Sequence, residues 1–390
     1  MYFYVYRSSA TLKRLFKNIY SSAACYHSMM DLKEVVTRLN RFAPLHLAEN
    51  WDNVGLLVEP SQPHSVTSIL LTNDLTEKVA QEAVDKEVNM VISYHPPIFA
   101  PLKRLTSSKF KERIIVKMIE NRIAVYSPHT AFDAVKNGVN DWLASGLGNA
   151  RVEPLQYSKA SSPGASQYKL VTRVLTNQEP DGAIRLQDSL RGLGGVERIE
   201  WETITRPPDL AEEKISILCS ENGLVNTLQM LTSQFPEAAS NTEMFPLGQI
   251  PILGTGQGRL CTLHSPVTLS ELINRIKNHL NLKHVRLALA HTDMPQQGSP
   301  LQSHIQTVAL CAGSGASVLH GIKADVYLTG EMSHHEVLDG VSQGVHVILC
   351  EHSNTERGFL TEFKSKLNVL LDEKINIFVS SFDMDPLQIL

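Results

Sequence analysis

The chain has 390 residues, more than one ordinary domain holds, so two or three compact units are expected. Its 43% hydrophobic and 19% charged residues are those of a globular protein rather than a disordered or fibrous one, and no apolar run reaches membrane-spanning length. A formal net charge of -4, with no basic block in the body of the chain, argues against direct binding of nucleic acid.

Cys25, Cys219, Cys261, Cys311 and Cys350 are odd in number and lack CxxC spacing. That points to a reducing compartment and against both a disulfide framework and a thiolate zinc site. Residues 1–30 read as a leader. Arg7, Lys13, Arg14 and Lys17 are basic, no acid precedes Asp31, and Leu12, Leu15, Phe16 and Ile19 fall at helical spacing. A mitochondrial transit peptide has this look. Initiation at Met29 or Met30 would remove it, and both outcomes stay open. The leader, if used, predicts a mitochondrial address; without it the body is expected in cytoplasm and nucleus.

From Asp31 to about residue 150 the pattern is regular. Asp31 and Glu34 are placed for a capping box ahead of a helix with Leu32, Val35, Val36 and Leu39 on one face. A turn-rich stretch contains Trp51-Asp52-Asn53. Then come strand 68–72, ending at Asn73-Asp74; a helix through Val79 and Val84; and strand 89–93, ending at Tyr94-His95. A helix over 109–121 leads to strand 122–126, which ends at His129 and Asp133. Strands alternating with helices predict a largely parallel sheet.

Residues 151–250 read as linker and insert. Ser, Pro and Gly crowd positions 150–167. Beyond them, strand 168–175, helix 182–193, strands 196–204 and 214–219, helix 224–235 and strand 242–245 give β-α-β-β-α-β, a ferredoxin-like order. Residues 251–390 resume the first pattern, with helix 269–280 and strands 285–290, 307–311, 325–328, 345–350 and 375–380. The expected architecture is α/β: two parallel-sheet halves, 31–150 and 251–390, around a ferredoxin-like α+β insert.

Three predicted strands deliver imidazole and carboxylate at their carboxyl ends: His95, then His129 and Asp133, then His352 and Glu356. Ligand sites of open parallel sheets form there. His129 and Asp133 are four apart, as are His352 and Glu356, so a helical turn would project each pair to one side. Nitrogen and carboxylate oxygen suit Zn, Fe or Mn alike. Any one of these histidines read alone is an ordinary loop or core residue; their repetition at strand ends favours a divalent-metal site. Elsewhere, Gly313-Ser314-Gly315 after a strand is a tight turn or an anion cradle. The glycine-rich run 254–258 is a structural turn, or presents Arg259 to a substrate carboxylate or phosphate. No Walker A sequence is present.

Trp51-Asp52-Asn53-Val54-Gly55-Leu56, Tyr94-His95-Pro96, His129-Thr130-Ala131-Phe132-Asp133 and Glu351-His352-Ser353-Asn354-Thr355-Glu356 resemble, in combination and order, the signatures of the Nif-three-like family, also called the GTP cyclohydrolase I type 2 family. Thr329-Gly330-Glu331 with His334-His335 is similar to the family's approach to its last strand. The resemblance implies one or two divalent ions held by His95, Asp133, His352 and Glu356, with Glu356 bridging and Tyr94 and His129 near the metal. Tyr94 stands where bacterial members have a histidine, so the second position is expected to be the weaker. On a predicted helix near this site, His335 is an outer-shell base or a surface histidine. The resemblance further implies a homodimer or larger ring. Two functions compete: a metal-dependent hydrolase, and a metal-stabilised binding protein acting as a transcriptional co-regulator through protein partners.

Overall fold

A computed structural model describes residues 29–159, 166–175, 181–206, 210–248, 250–291 and 299–388. The leader reading falls on residues 1–28, outside the described residues. Helix α1 (Leu32–Phe42) is capped by Asp31, whose Oδ1 accepts from the Lys33 amide at 2.9 Å. Glu34 pairs with Arg38 one turn on, so the expected box is only half formed.

Strands β1 (Gly55–Val58), β2 (Ser68–Thr72), β3 (Met90–Ser93) and β4 (Ala124–Ser127) form the first sheet, with α2 (Glu77–Asp85) and α3 (Phe110–Glu120) as crossovers. β2, β3 and β4 run parallel, and β1 lies antiparallel on the edge. Every residue of β2, β3 and β4 is buried, which is why these strands read as continuous apolar runs without alternation. α4 (His129–Ala134), α5 (Val139–Ser145) and strand β5 (Ala150–Lys159) follow.

The chain forms two compact units: one joins the chain up to Ser158 with the chain from Gly254, and the other is Lys159–Leu253. The second unit runs β6 (Tyr168–Leu175), α6 (Gly182–Arg191), β7 (Val196–Arg206), β8 (Leu210–Cys219), α7 (Glu221–Gln234) and β9 (Glu243–Pro246), with a short helix Pro236–Ser240 before β9. Its sheet is antiparallel in the order β9-β6-β8-β7. Leu170, Leu186, Ile215, Ile217 and Leu231 give it a hydrophobic core of its own.

The first unit resumes with β10 (Pro251–Thr268), α8 (Leu269–Leu280), β11 (Arg286–Ala288), β12 (His304–Ser314), β13 (Val326–Glu331), α9 (His334–Ser342) and β14 (His346–Leu349). These strands order as β11-β14-β13-β12-β10-β5. β12, β13 and β14 are mutually parallel, β10 pairs antiparallel with β12, and β11 pairs antiparallel with β14. Both sheets of this unit are therefore mixed, a common arrangement when a parallel core acquires antiparallel edges.

Three expectations change. Residues 150–159 are strand β5, not linker. The glycine-rich run 254–258 lies inside the 18-residue β10. There a Cβ at Gly256 would stand 2.0 Å from the Gln156 carbonyl oxygen, so the glycine permits close approach of two strands instead of a turn. Finally, the last strand, β15 (Asn376–Val379), pairs parallel with β2, so 251–390 is not a self-contained half. Helix α10 (Phe359–Leu370) brings it there: Phe363 packs against Phe132 and Phe42, with ring centroids 4.6 and 5.7 Å away.

β5 and β10, which flank the second unit in sequence, are sheet neighbours. Replacing residues 160–252 with an Asn-Gly hairpin turn is expected to leave a soluble protein with unchanged metal content, because no candidate ligand lies in the removed stretch. Circular dichroism and elemental analysis check this. A folded deletion protein that had lost its metal would overturn the independence of the two units.

Candidate metal centre

His95 follows β3 and His352 follows β14, each at a carboxyl end. Asn73-Asp74 ends the neighbouring strand β2, and Glu331 ends β13, the neighbour of β14. Each parallel pair of strands therefore brings an imidazole and a carboxylate together. His95 Nδ1 lies 2.9 Å from Asp74 Oδ1, and His352 Nδ1 lies 2.8 Å from Glu331 Oε1. His129 repeats the device, with Nδ1 2.8 Å from Asp52 Oδ1. A carboxylate on Nδ1 fixes the tautomer and leaves Nε2 free to bind, as it does behind metal-ligating histidines.

Both free Nε2 atoms converge on Glu356, which is 3% exposed. His352 Nε2 is 3.3 Å from Glu356 Oε1, and His95 Nε2 is 3.4 Å from Glu356 Oε2. Asn73 Nδ2 donates to Oε2 at 3.1 Å. Among the described residues, His95, His352 and Glu356 place one ligand atom each within 4.8 Å of one another. His95 Nε2 is buried without a hydrogen-bond partner, a state rare in native proteins unless something else occupies the atom. The backbone leaves room for this cluster: at Gly313, where φ is +64°, a Cβ would sit 2.6 Å from Glu356 Oε1 and 3.1 Å from His352 Nε2. Gly313, near the end of β12, therefore backs the cluster.

The charges are strongly coupled. Burial alone would lower His95, but Asp74 and Glu356 push it up to about 10. Glu356, with help from Glu331, raises His352 to about 9 against its partial burial. Burial opposes ionisation of Glu356, yet the imidazoles of His352 and His95, 3.3 and 3.4 Å away, hold it far below the usual carboxylate range. The buried Asp52 carboxylate and the half-exposed Asp74 carboxylate are likewise held low, by His129 and His95. Asp133 behaves differently: burial raises it to about 6.

A family model described as Duf34/NIF3 (NGG1p interacting factor 3) matches residues 30–386. The chain belongs to this family. It is similar to NIF3-like protein 1 of Bos taurus, with 48% identity over 98% of each chain, and to that of Homo sapiens, with 47% identity over 93% of each. It is 31% identical to NGG1-interacting factor 3 of Saccharomyces cerevisiae, over 92% of this chain and 97% of that one. Among solved structures, a Bacillus cereus protein related to NIF3 superposes with a TM-score of 0.63 at 25% identity, over 93% of this chain and 99% of that one. The α/β core is thus that of the NIF3 family.

In this NIF3-family chain the strand-end histidines do meet. His95, His129, Asp133, His352 and Glu356 all line one cleft of about 460 Å³. Asp133 stands outside the compact three-residue group, on α4. Glu356 follows a single 3₁₀ turn (Ser353–Thr355), not the expected helical first turn. Tyr94 is not at the metal-facing wall. It is buried, its phenol is raised well above its ordinary value by burial and by Asp133, and its hydroxyl donates to Asp133 Oδ1 at 2.6 Å. Its hydroxyl is turned to Asp133 and not to the open cleft, while its ring lies 5.0 Å from that of His95, beside the residues where the resemblance placed it.

Of the two readings of His335, the structure fits the surface histidine: it is exposed at the start of α9, its ring meets His334 at 5.6 Å, and it is not among the cleft-lining residues. Arg259 is 1% exposed and fully engaged, with Nε 2.5 Å from Asp141 Oδ1 and Nη1 donating to the Gly256 and Gly258 carbonyls. It is structural and does not reach a substrate. Asp52, Asp74 and Glu331 were not singled out from the sequence. The signal was there in outline, since each ends or precedes a strand adjacent to one that carries a histidine.

Tyr94→Phe tests the hold on Asp133. Removing the donor takes away an interaction that favours the carboxylate, so Asp133 should be protonated to higher pH than about 6. Metal binding is expected to weaken about tenfold at pH 6 and much less at pH 8. Metal titrations at the two values check it, and an equal loss at both would overturn the role.

Proposed function

We propose that His95, Asp133, His352 and Glu356 hold divalent cations in this cleft and that the protein is a metal-dependent hydrolase. The observation that supports this best is the convergence of two carboxylate-backed imidazoles on one buried carboxylate. Two ligand atoms on one tetrahedral ion with bonds of about 2.0–2.1 Å stand about 3.3 Å apart. The observed N···O separations of 3.3 and 3.4 Å fit. The imidazoles face different oxygens of Glu356, so that carboxylate would serve two ions as readily as one. Bound cations would supply the Lewis acidity that makes water nucleophilic near neutral pH. The chain's own residues do the rest. Asp74 and Glu331 orient the imidazoles, Asn73 fixes Glu356, and Asp133 completes the ligand set when ionised. With a raised value and a Tyr94 donor, Asp133 can also exchange a proton near neutrality. Zn, Fe and Mn all suit this donor set.

The name of the yeast relative favours a second reading, in which the cleft is a structural centre and function passes through protein partners, as in a co-regulator of transcription. A panel of nucleotides and esters separates the two. Metal-dependent turnover that disappears in His352→Ala supports the hydrolase. No turnover by protein shown to carry metal sinks it.

A further inference from the structure

We propose that the rim of this cleft is a stacking platform for a flat aromatic ring carried by a small oxyanion, with Trp51 and Phe99 as the specificity-determining residues. The proposal rests on the metal reading for the place of the anion. Trp51 is 60% exposed and Phe99 48% exposed. A single apolar side chain in water is ordinary. Here two aromatic rings, centroids 6.0 Å apart and tilted 54° to one another, flank the wall of the cleft that His95, His352 and Glu356 line, so that a ligand ring stacks on one and meets the other at an angle.

Their loops are fixed. Asp52, next to Trp51, has a fully buried side chain whose carboxylate is bound by His129 and by the Thr130 amide and hydroxyl. Asn53 Nδ2 donates to the Ile98 carbonyl at 2.5 Å, tying the Trp51 loop to the Phe99 loop. The His129 ring meets Trp51 edge-on at 6.0 Å and 75°. Rings held in place and wet form a surface already ordered for a ligand, so binding loses little to ordering.

Charge agrees with shape. Lys111 lines the same cleft, has no ion pair among the described residues, and sits in the first turn of α3, where the helix dipole disfavours a cation unless an anion is near. Ser314 and Gln156 make other parts of the lining polar. A ligand with an apolar ring and an anionic end matches both faces, and the cleft volume suits a molecule of that size.

Calorimetric titration of the Zn-loaded full chain with phenyl phosphate, benzoate and methyl phosphate tests it. Phenyl phosphate is expected to bind about tenfold or more tighter than methyl phosphate, the range of base–aromatic stacking. Trp51→Ala with Phe99→Ala should bring phenyl phosphate to the level of methyl phosphate and leave methyl phosphate unchanged. Both side chains are exposed, so the fold should survive. Benzoate decides whether a carboxylate serves as well as a phosphate. If phenyl and methyl phosphate bind alike or not at all, or if the preference persists in the double variant, the platform is wrong. A ring preference in a protein that elemental analysis shows to take up no zinc on loading would keep the platform and remove the metal reading.

Discussion

Glu356→Gln is expected to empty the metal centre while leaving the fold intact. The side chains are nearly isosteric, and the site is packed, with Glu356 3% exposed. What changes is chemistry. The carboxylate offers one oxygen to each imidazole, at 3.3 and 3.4 Å, and accepts from Asn73. An amide has a single acceptor oxygen, no charge, and an NH₂ that cannot ligate. Loss of an outer partner typically costs 10–100-fold in metal affinity, so loss of a carboxylate that faces both imidazoles should cost at least about a hundredfold. After identical dialysis, elemental analysis should find wild type loaded and the variant close to bare, with matching circular dichroism. A variant that keeps the wild-type metal content would show that Glu356 is not the bridge.

Metal uptake should also be strongly pH-dependent, with a known sign. His95 and His352 are raised to about 10 and about 9, so both are protonated at pH 7 in chelator-stripped protein. A cation must displace those protons, and about two should be released per chain at pH 7. Calorimetry in buffers of different ionisation enthalpy reads this directly. The same groups govern stability through linkage. The histidines' folded values lie above the ordinary 6.5, so their contribution is whole below that pH and is lost as pH rises through about 9 and 10. Glu356 is depressed, so its contribution is present above about 4.5 and is lost as pH falls toward its folded value. Asp133, raised to about 6, works the other way and costs stability as pH rises from about 4 to 6. Stripped protein should therefore lose melting temperature steeply between pH 8.5 and 10, while loaded protein should not. Equal losses in both would mean that the cation does not replace these protons.

The local elements were legible because their signal is local. Strand 68–72, strand 168–175 and helix 269–280 emerge with the expected limits, since buried runs and a 3.6-residue stripe are visible in a short window. The strand-end histidines were legible for the same reason. What failed depends on neighbours distant in sequence. Glu331 lies 21 residues from His352 and Asp74 21 from His95, and only strand adjacency makes them partners. The glycines of β10 carry the composition of a turn, yet serve a close strand contact. Arg259 looks like a ligand-binding cation until its partner Asp141, 118 residues away, is in place. Tyr94 was set against a histidine of bacterial family members, but that comparison carries no sign that its hydroxyl is committed to Asp133, 39 residues away.

The position of β15 has a bearing on how the chain is made. β15 completes the first sheet beside β2, and the residues after it reach the centre itself: Asp383 Oδ2 accepts from the Asn73 amide at 2.7 Å, and Asp385 accepts from the Ser353 hydroxyl at 2.6 Å. During synthesis, β2 leaves the ribosome some 300 residues before its partner does. The nascent N-terminal sheet thus waits through most of translation with an unpaired strand at its edge that presents Ile69, Leu70 and Leu71. A premature stop before residue 376 would release a polypeptide in that condition, with Asn73 lacking its anchor. Such a product is expected to be drawn to chaperones or aggregates instead of persisting as a partly active truncation.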